Sequence, residues 1–282
     1  MREKIKILLA GTPVFSVPIF EEVINNFEVV GIISQPDKPH NRGYTLSETP
    51  TKILAKKHNI TLFQPEKISQ IYEELNQMDF DFLLTAAFGQ YIPSNILELP
   101  KIASINIHGS LLPKYRGAAP IQYSLLNGDN ETGISLIYMT KKMDAGKILK
   151  VAKIPINKTD TSDSMFIKIS ELATKNITQW LKDLYYKNFT ETEQNEELVT
   201  LSPKLEKEDS LLLNTDSMKT NFNKIRAFSS NPGAYILNNN KRIKIYYATD
   251  QKTKNVPIIE CSDGQLFALD YQYESKKRIK LS

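Results

Sequence analysis

The chain contains one cysteine, Cys261, and three histidines in 282 residues. A single cysteine excludes an internal disulfide framework, and three histidines beside it leave little from which to build a metal site. No segment approaches the ~18 consecutive apolar residues of a membrane span. The apolar run in MREKIKILLAG is about six residues long and leads into a strand-like pattern, too short for the hydrophobic region of a signal peptide. The expectation is a cytoplasmic protein that neither spans nor enters a bilayer. Internal repeats and low-complexity tracts are also missing. Charge of one sign is scarce as an average: 36 Lys and Arg against 32 Asp and Glu give a formal +4.

What is there describes an ordinary globular chain, 41% hydrophobic and 24% charged. Its length corresponds to about two domains. The charge is unevenly placed. Residues 203–282 hold 14 of the 36 basic residues and 9 of the 32 acidic ones, whereas the first 202 residues hold 22 and 23. All the excess positive charge therefore lies in the last 80 residues, as in a near-neutral catalytic domain followed by a basic accessory domain that meets an anionic partner.

The first half alternates short β-branched runs with amphipathic stretches, the pattern of an α/β fold with a doubly wound, mostly parallel sheet. Strands are expected at Ile5–Ala10, Val29–Ser34, Phe82–Ala86, Ala103–His108 and Ile134–Met139. Helices are expected at Val17–Asn26, from Pro50 to His58 behind an N-cap at Thr49, and over Lys67–Gln77. Met165, Ile169, Leu172, Ile177, Leu181 and Leu184 recur at helical spacing, predicting one long amphipathic helix within Asp160–Lys187. The acidic, aperiodic NFTETEQNEELVT that follows reads as a linker, giving domains at 1–187 and 205–282 around a connection at 188–204. Short strands at Ser210–Leu213, Gly233–Leu237, Ile243–Tyr247, Pro257–Cys261 and Leu266–Tyr271, separated by turn signals, predict a small OB-like β-barrel.

Chemistry concentrates in SINIHGSLLPKYRGAAPIQ. Asn106 and His108 are two apart at a strand end, so an amide and an imidazole share one face at the edge where open α/β sheets place ligands. By itself such a pair also fits a polar strand exit with a satisfied histidine. The loop after it, GSLLPKYRGAAP, has glycines and prolines that let backbone approach a flat ligand. Asp144, in the turn KKMDAGK after the next strand, adds a carboxylate. Amide, imidazole and carboxylate together suit acyl transfer without a covalent intermediate. His58, near a helix end, reads as a solvated residue, His40 has no evident partner, and Cys261 reads as a strand residue before a turn.

The runs NIHGSLLPKYRGAAPIQ and MDAGKI resemble the 10-formyltetrahydrofolate-dependent formyltransferase family. So do AGTPVFSVP, QPDKPHNRG, AFGQYIP, SPKLEKEDS and IRAF with NPGAY, and the likeness covers nearly the whole chain. The N-x-H-x-SLLP core is shared by branches that formylate glycinamide ribonucleotide or sugar nucleotides. The continuation Arg116 to Gln122, with a basic C-terminal domain, is similar to the branch whose acceptor is initiator methionyl-tRNA.

The resemblance implies that Asn106 and His108 hold the formyl oxygen, that Asp144 charges or orients the imidazole and helps remove the ammonium proton, and that no metal is needed. It implies that the backbone of Ser110, Leu111, Leu112 and Pro113 receives the pterin end of the folate. For the tRNA, it implies that the long segment Gln35–Thr51, which would otherwise read as a mobile surface loop, wedges toward the acceptor end with Arg42 on phosphate or base. Tyr44 and Thr45 stand where lysines are expected in that segment. Lys241, Arg242 and Lys244, and a second cluster of Lys276, Lys277, Arg278 and Lys280, are expected on the phosphate backbone. A final strand or tail is expected to be missing, because the chain stops soon after KKRIKLS. The chain is expected to act as a monomer. Two alternatives are a formyltransferase acting on an amino-sugar nucleotide and a non-catalytic RNA-binding protein.

Overall fold

A computed structural model of the chain describes residues 3–40, 45–239 and 241–281. In chain order the elements are β1 (Glu3–Gly11), α1 (Ser16–Asn26), β2 (Phe27–Ile33), β3 (Lys38–His40), β4 (Thr45–Ser47), α2 (Pro50–His58), β5 (Leu62–Phe63) and α3 (Tyr72–Asn76). They continue with β6 (Phe82–Ala86), α4 (Ser94–Leu97), β7 (Ala103–His108), α5 (Pro120–Leu126), β8 (Glu131–Tyr138), β9 (Ile148–Pro155) and α6 (Ser162–Tyr185). The last are α7 (Met218–Phe228), β10 (Ala234–Asn238), β11 (Lys241–Thr249), β12 (Ile258–Cys261), β13 (Gly264–Tyr273) and β14 (Ile279–Lys280). Two compact units emerge: residues 1–116, 133–153 and 167–200, and residues 117–132, 154–166 and 201–282.

The first unit is built on a seven-stranded sheet of order β5-β2-β1-β6-β7-β8-β9. Strands β5, β2, β1, β6 and β7 are parallel, giving a Rossmann-like arrangement whose order reverses at β1, the point where such sheets open a ligand crevice. Continuous apolar runs make the central strands: all five residues of β6 are buried, as parallel strands covered on both faces require. Leu8, Ala10, Ile33, Leu83, Phe80, Phe88 and Ile92 form one cluster of this core. The Thr49 hydroxyl caps α2 by accepting from the Lys52 N–H, with Pro50 in the first turn. Along α6 the expected period is buried at Met165, Ile169, Ile177, Leu181 and Leu184, with Ala173 and Trp180 filling the same stripe.

Four local expectations are corrected. Lys67–Gln77 is a 3₁₀ turn at Ile68–Ile71 followed by the short α3. Gln35–Thr51 carries a two-stranded hairpin, β3 with β4, rather than a structureless loop. At its base Asp37 accepts from the Thr49 N–H (3.3 Å), Lys52 Nζ (2.5 Å) and Gln64 Nε2 (2.9 Å). Ser210–Leu213 makes only an isolated bridge, Leu211 with Tyr235. Finally, β8 runs antiparallel to β7, with Tyr138 opposite Ile105 and Ser135 opposite His108.

The second unit contains an antiparallel sheet of order β10-β11-β13-β12, with β14 on the outer half of β13. Irregular register around Tyr247 bends β11, curling the sheet into a half-barrel. Helix α7, unforeseen in the sequence, packs on this sheet and on α5. Ser217 caps it by accepting from the Thr220 N–H. Its buried Arg226 donates to the carbonyls of Asp160 (2.7 Å) and Asn157 (2.9 Å).

Candidate active site

β7 ends at the site. Asn106 and His108 lie on the same face of the strand, as their spacing predicts, and the neighbouring parallel strand β6 sets Thr85 directly opposite Asn106. The Thr85 hydroxyl donates to Asn106 Oδ1 at 2.7 Å. With its oxygen engaged, the amide leaves its Nδ2 donors for the site, where they meet no protein partner among the described residues.

His108 is 5% exposed. Its Nε2 lies 2.8 Å from the Tyr115 carbonyl oxygen. A carbonyl only accepts, so Nε2 carries a hydrogen and Nδ1 is the nitrogen facing Asp144, 3.6 Å from Oδ2. A proton arriving on Nδ1 would make both ring nitrogens donors, each with an acceptor before it.

Asp144 reaches His108 by an indirect path. Because β8 is antiparallel, its carboxyl end falls beside the start of β7, and the 139–147 loop must fold back to bring Asp144 to the other end. Asp144 itself takes a left-handed backbone, φ +50°. The return is tight. A Cβ on Gly146 would sit 1.9 Å from the Tyr138 carbonyl oxygen, so only glycine fits there.

The loop after β7 supports the histidine. Ser110 is fully buried; its hydroxyl donates to the Lys114 carbonyl (2.6 Å), and its own carbonyl accepts from Ser135 (2.8 Å). The Leu112 N–H donates to the Ser135 hydroxyl at 3.1 Å. Several of the polar groups expected for the pterin edge thus hold the loop's shape. The loops after β1, β2 and β6 meet at the same sheet edge, where Thr12 and Gln35 both donate to the Phe88 carbonyl. Val14 and Tyr91 on two of these loops, and Met143 beside Asp144, are 71, 65 and 70% exposed. They leave apolar surface exposed on these loops.

The family described as "Formyl transferase" matches residues 3–181, and "Formyl transferase, C-terminal domain" matches residues 204–282. A methionyl-tRNA formyltransferase of Mycoplasmopsis pulmonis is 59% identical over 278 residues, covering 98% of this chain and 96% of that one. The chain belongs to the methionyl-tRNA formyltransferase family. A second member, from Mycoplasma mycoides subsp. mycoides SC, is 40% identical over 300 residues, covering 100% of this chain and 95% of that relative. Among solved structures, an N-formyltransferase from Helicobacter canadensis in complex with folinic acid and dTDP-3-aminofucose has a TM-score of 0.73 at 19% identity, covering 95% and 99% of the two chains. WlaRD, a sugar 3N-formyltransferase solved with dTDP and 5-N-formyl-THF, gives 0.72 at 21% identity over 98% and 100%. At these identities the likeness is one of fold.

Other residues singled out in the sequence fall as follows. Arg42 and Tyr44 lie outside the described residues. Lys241, Arg242 and Lys244 lie on β11, with Arg242 stacked 4.6 Å over the Tyr235 ring. Arg278, by contrast, is internally engaged: it forks onto Asp270 at 2.6 and 2.7 Å and lies 4.0 Å over the Tyr246 ring. His58 meets Glu21 at 3.3 Å, and Cys261 ends β12. Sequence reasoning missed Thr85, whose signal was a threonine in an otherwise apolar strand, and Gln194, which lay in a segment read as a linker. No helix among the described residues is long and apolar enough to cross a membrane, and they include no cluster able to hold a metal ion.

Proposed function

We propose that the chain transfers the formyl group of 10-formyltetrahydrofolate to the α-amino group of methionine on initiator methionyl-tRNA. The observation that carries this reading is the meeting of Asn106, His108 and Asp144 at the end of β7, in a chain 59% identical to a methionyl-tRNA formyltransferase over nearly its full length. Folate enters as the formyl donor and is consumed as a substrate. The amine nitrogen attacks the formyl carbon, the bond from that carbon to the folate nitrogen breaks, and the proton lost by the attacking amine ends on that departing nitrogen.

Asn106 Nδ2 is the donor for the developing oxyanion, a contribution of about 3 kcal/mol for one preorganised donor. His108 adds positive charge beside it, since Tyr115 and Asp144 occupy the directions of its two nitrogens. Asp144 receives the proton from the attacking amine or fixes it on His108 Nδ1, worth about 10²- to 10⁴-fold. The 110–113 loop and the exposed apolar residues at the sheet edge receive the pterin. Residues 1–187 carry the chemistry, 188–204 connect, and 205–282 bind tRNA through Lys241, Arg242 and Lys244, assisted by Arg42.

The test is direct. The chain is incubated with 10-formyltetrahydrofolate and charged initiator tRNA, with a dTDP-amino sugar in a parallel reaction. Formyl-methionine on the tRNA is the expected product. Its absence, or equal formylation of the amino sugar, overturns the proposal.

A further inference from the structure

Two residues of the site hold strained backbone without being glycine: Tyr115 at φ +64° and Asp144 at φ +50°. Such conformations persist only where the surroundings over-determine them. For Tyr115 the restraints are visible, since its N–H donates to Thr200 Oγ1 (2.9 Å), its carbonyl accepts from His108, and the next N–H, of Arg116, donates to the Thr200 carbonyl (2.9 Å). The restraint on Asp144 comes from Gln194, which is 9% exposed. Its Nε2 donates to the carbonyls of Asp144 and Gly146, both at 2.8 Å. Its Oε1 accepts from Arg116 Nε at 2.9 Å. Arg116 is 4% exposed, and its guanidinium is held from outside by Glu196 at 2.8 Å.

These contacts close a ring. From Tyr115 it runs through the peptide to Arg116, across to Gln194, on to the Asp144 backbone, from the Asp144 carboxylate to His108, and from His108 Nε2 back to the Tyr115 carbonyl. Within it Gln194 joins the segment holding the imidazole to the backbone of the loop holding the carboxylate. Only an amide serves there, because the position needs an acceptor toward Arg116 and two donors toward carbonyls.

We propose that Gln194 is a positioning residue that sets the Asp144–His108 separation for proton removal. The inference rests on reading those two residues as the catalytic pair. A displacement of ~1 Å at a reacting centre can cost about 10²-fold in rate, and loss of the amide releases the Asp144 and Gly146 carbonyls that shape the turn.

The experiment compares Gln194→Ala, Gln194→Glu, Asp144→Asn and Gln194→Ala/Asp144→Asn in the full chain, with 10-formyltetrahydrofolate and methionyl-tRNA as substrates and thermal melts run alongside. Both Gln194 variants are expected to lose about tenfold or more in kcat, with both KM values within about twofold of the parent and folding retained. Gln194→Glu keeps the oxygen for Arg116 but turns an oxygen on the two carbonyls, so it should fare no better than alanine. In the Asp144→Asn background Gln194→Ala should add nothing, as for residues acting through one group. Glu191→Gln, on the same segment but outside the ring, should keep parental kcat. An unchanged kcat in Gln194→Ala, a loss confined to KM or to Tm, or full additivity with Asp144→Asn overturns the proposal. Loss in Asp144→Asn with none in Gln194→Ala condemns the clamp alone; full turnover in Asp144→Asn removes the catalytic pair and the clamp with it.

Discussion

Thr85 and Asn106 face each other across the parallel strands β6 and β7, and the threonine hydroxyl donates to Asn106 Oδ1, which leaves the Nδ2 end of the amide for the site. A rotating amide would present oxygen to the oxyanion half of the time, so this one bond converts a polar side chain into an oriented donor. Thr85→Val keeps the shape and removes the bond. Its expected effect is a fall in kcat of about tenfold, matching a hydrogen bond worth ~1 kcal/mol plus partial loss of orientation, while KM for folate stays put. Steady-state kinetics with both substrates checks it, and an unaltered kcat would detach Thr85 from the site's preorganisation.

Asp144→Asn should abolish turnover by about 10²-fold or more while folate binding, measured by equilibrium dialysis, survives. Asn keeps the size and the left-handed backbone preference of Asp, so the loop is not disturbed. Retained turnover would take Asp144 out of the mechanism.

The basic excess of residues 203–282 is distributed unequally in its availability. Arg278 is committed to Asp270 and Tyr246, and the test is placed on the lysines of β11, Lys241 and Lys244. Lys241→Gln/Lys244→Gln should raise KM for tRNA severalfold, leave kcat at saturating tRNA unchanged, and lower the salt slope of tRNA binding by about 2. An unmoved slope would show that these lysines touch no phosphate. Truncation from residue 205 is the poorer test, because it strips α7 from α5.

Burial, and then the hydrogen bond it donates to Glu191 at 3.0 Å, push the Tyr138 phenol from 10.0 up to about 12. Between those values the unfolded chain loses this proton and the folded chain keeps it. The contribution of Tyr138 to stability is therefore complete below pH 10 and is lost as pH rises toward about 12. Ultraviolet titration of Tyr138→Phe should lack one late-ionising tyrosine among the 13, and its stability should fall less steeply over that alkaline window. An identical titration curve for parent and variant would refute the assignment.

Much of the fold was legible because its signals are local. The apolar runs of β1, β2, β6 and β7, the cap and proline of α2 and the period of α6 each depend on residues adjacent in the chain. The misreadings share one cause, reliance on neighbours far away. α7 is helical in an Asn-rich segment because α5 and the sheet cover its apolar face. The 192–200 segment shows no period in the sequence because its order comes from bonds to the distant Ile148, Tyr115 and Arg116.

The sequence alone determined the chemistry on offer: an amide and an imidazole two residues apart at a strand end, a carboxylate in a later turn, and a surplus of positive charge confined to the last 80 residues. Periodicity dictates which face a side chain takes, so Asn106 and His108 had to lie together. Only the tertiary structure decided how the carboxylate arrives. Strand direction is set by pairing partners rather than by composition, and an antiparallel β8 sends Asp144 to the wrong end of β7 unless the loop turns back. Holding that return, with two residues in left-handed backbone, falls to Gln194 and Arg116, whose bonds span about eighty positions of sequence.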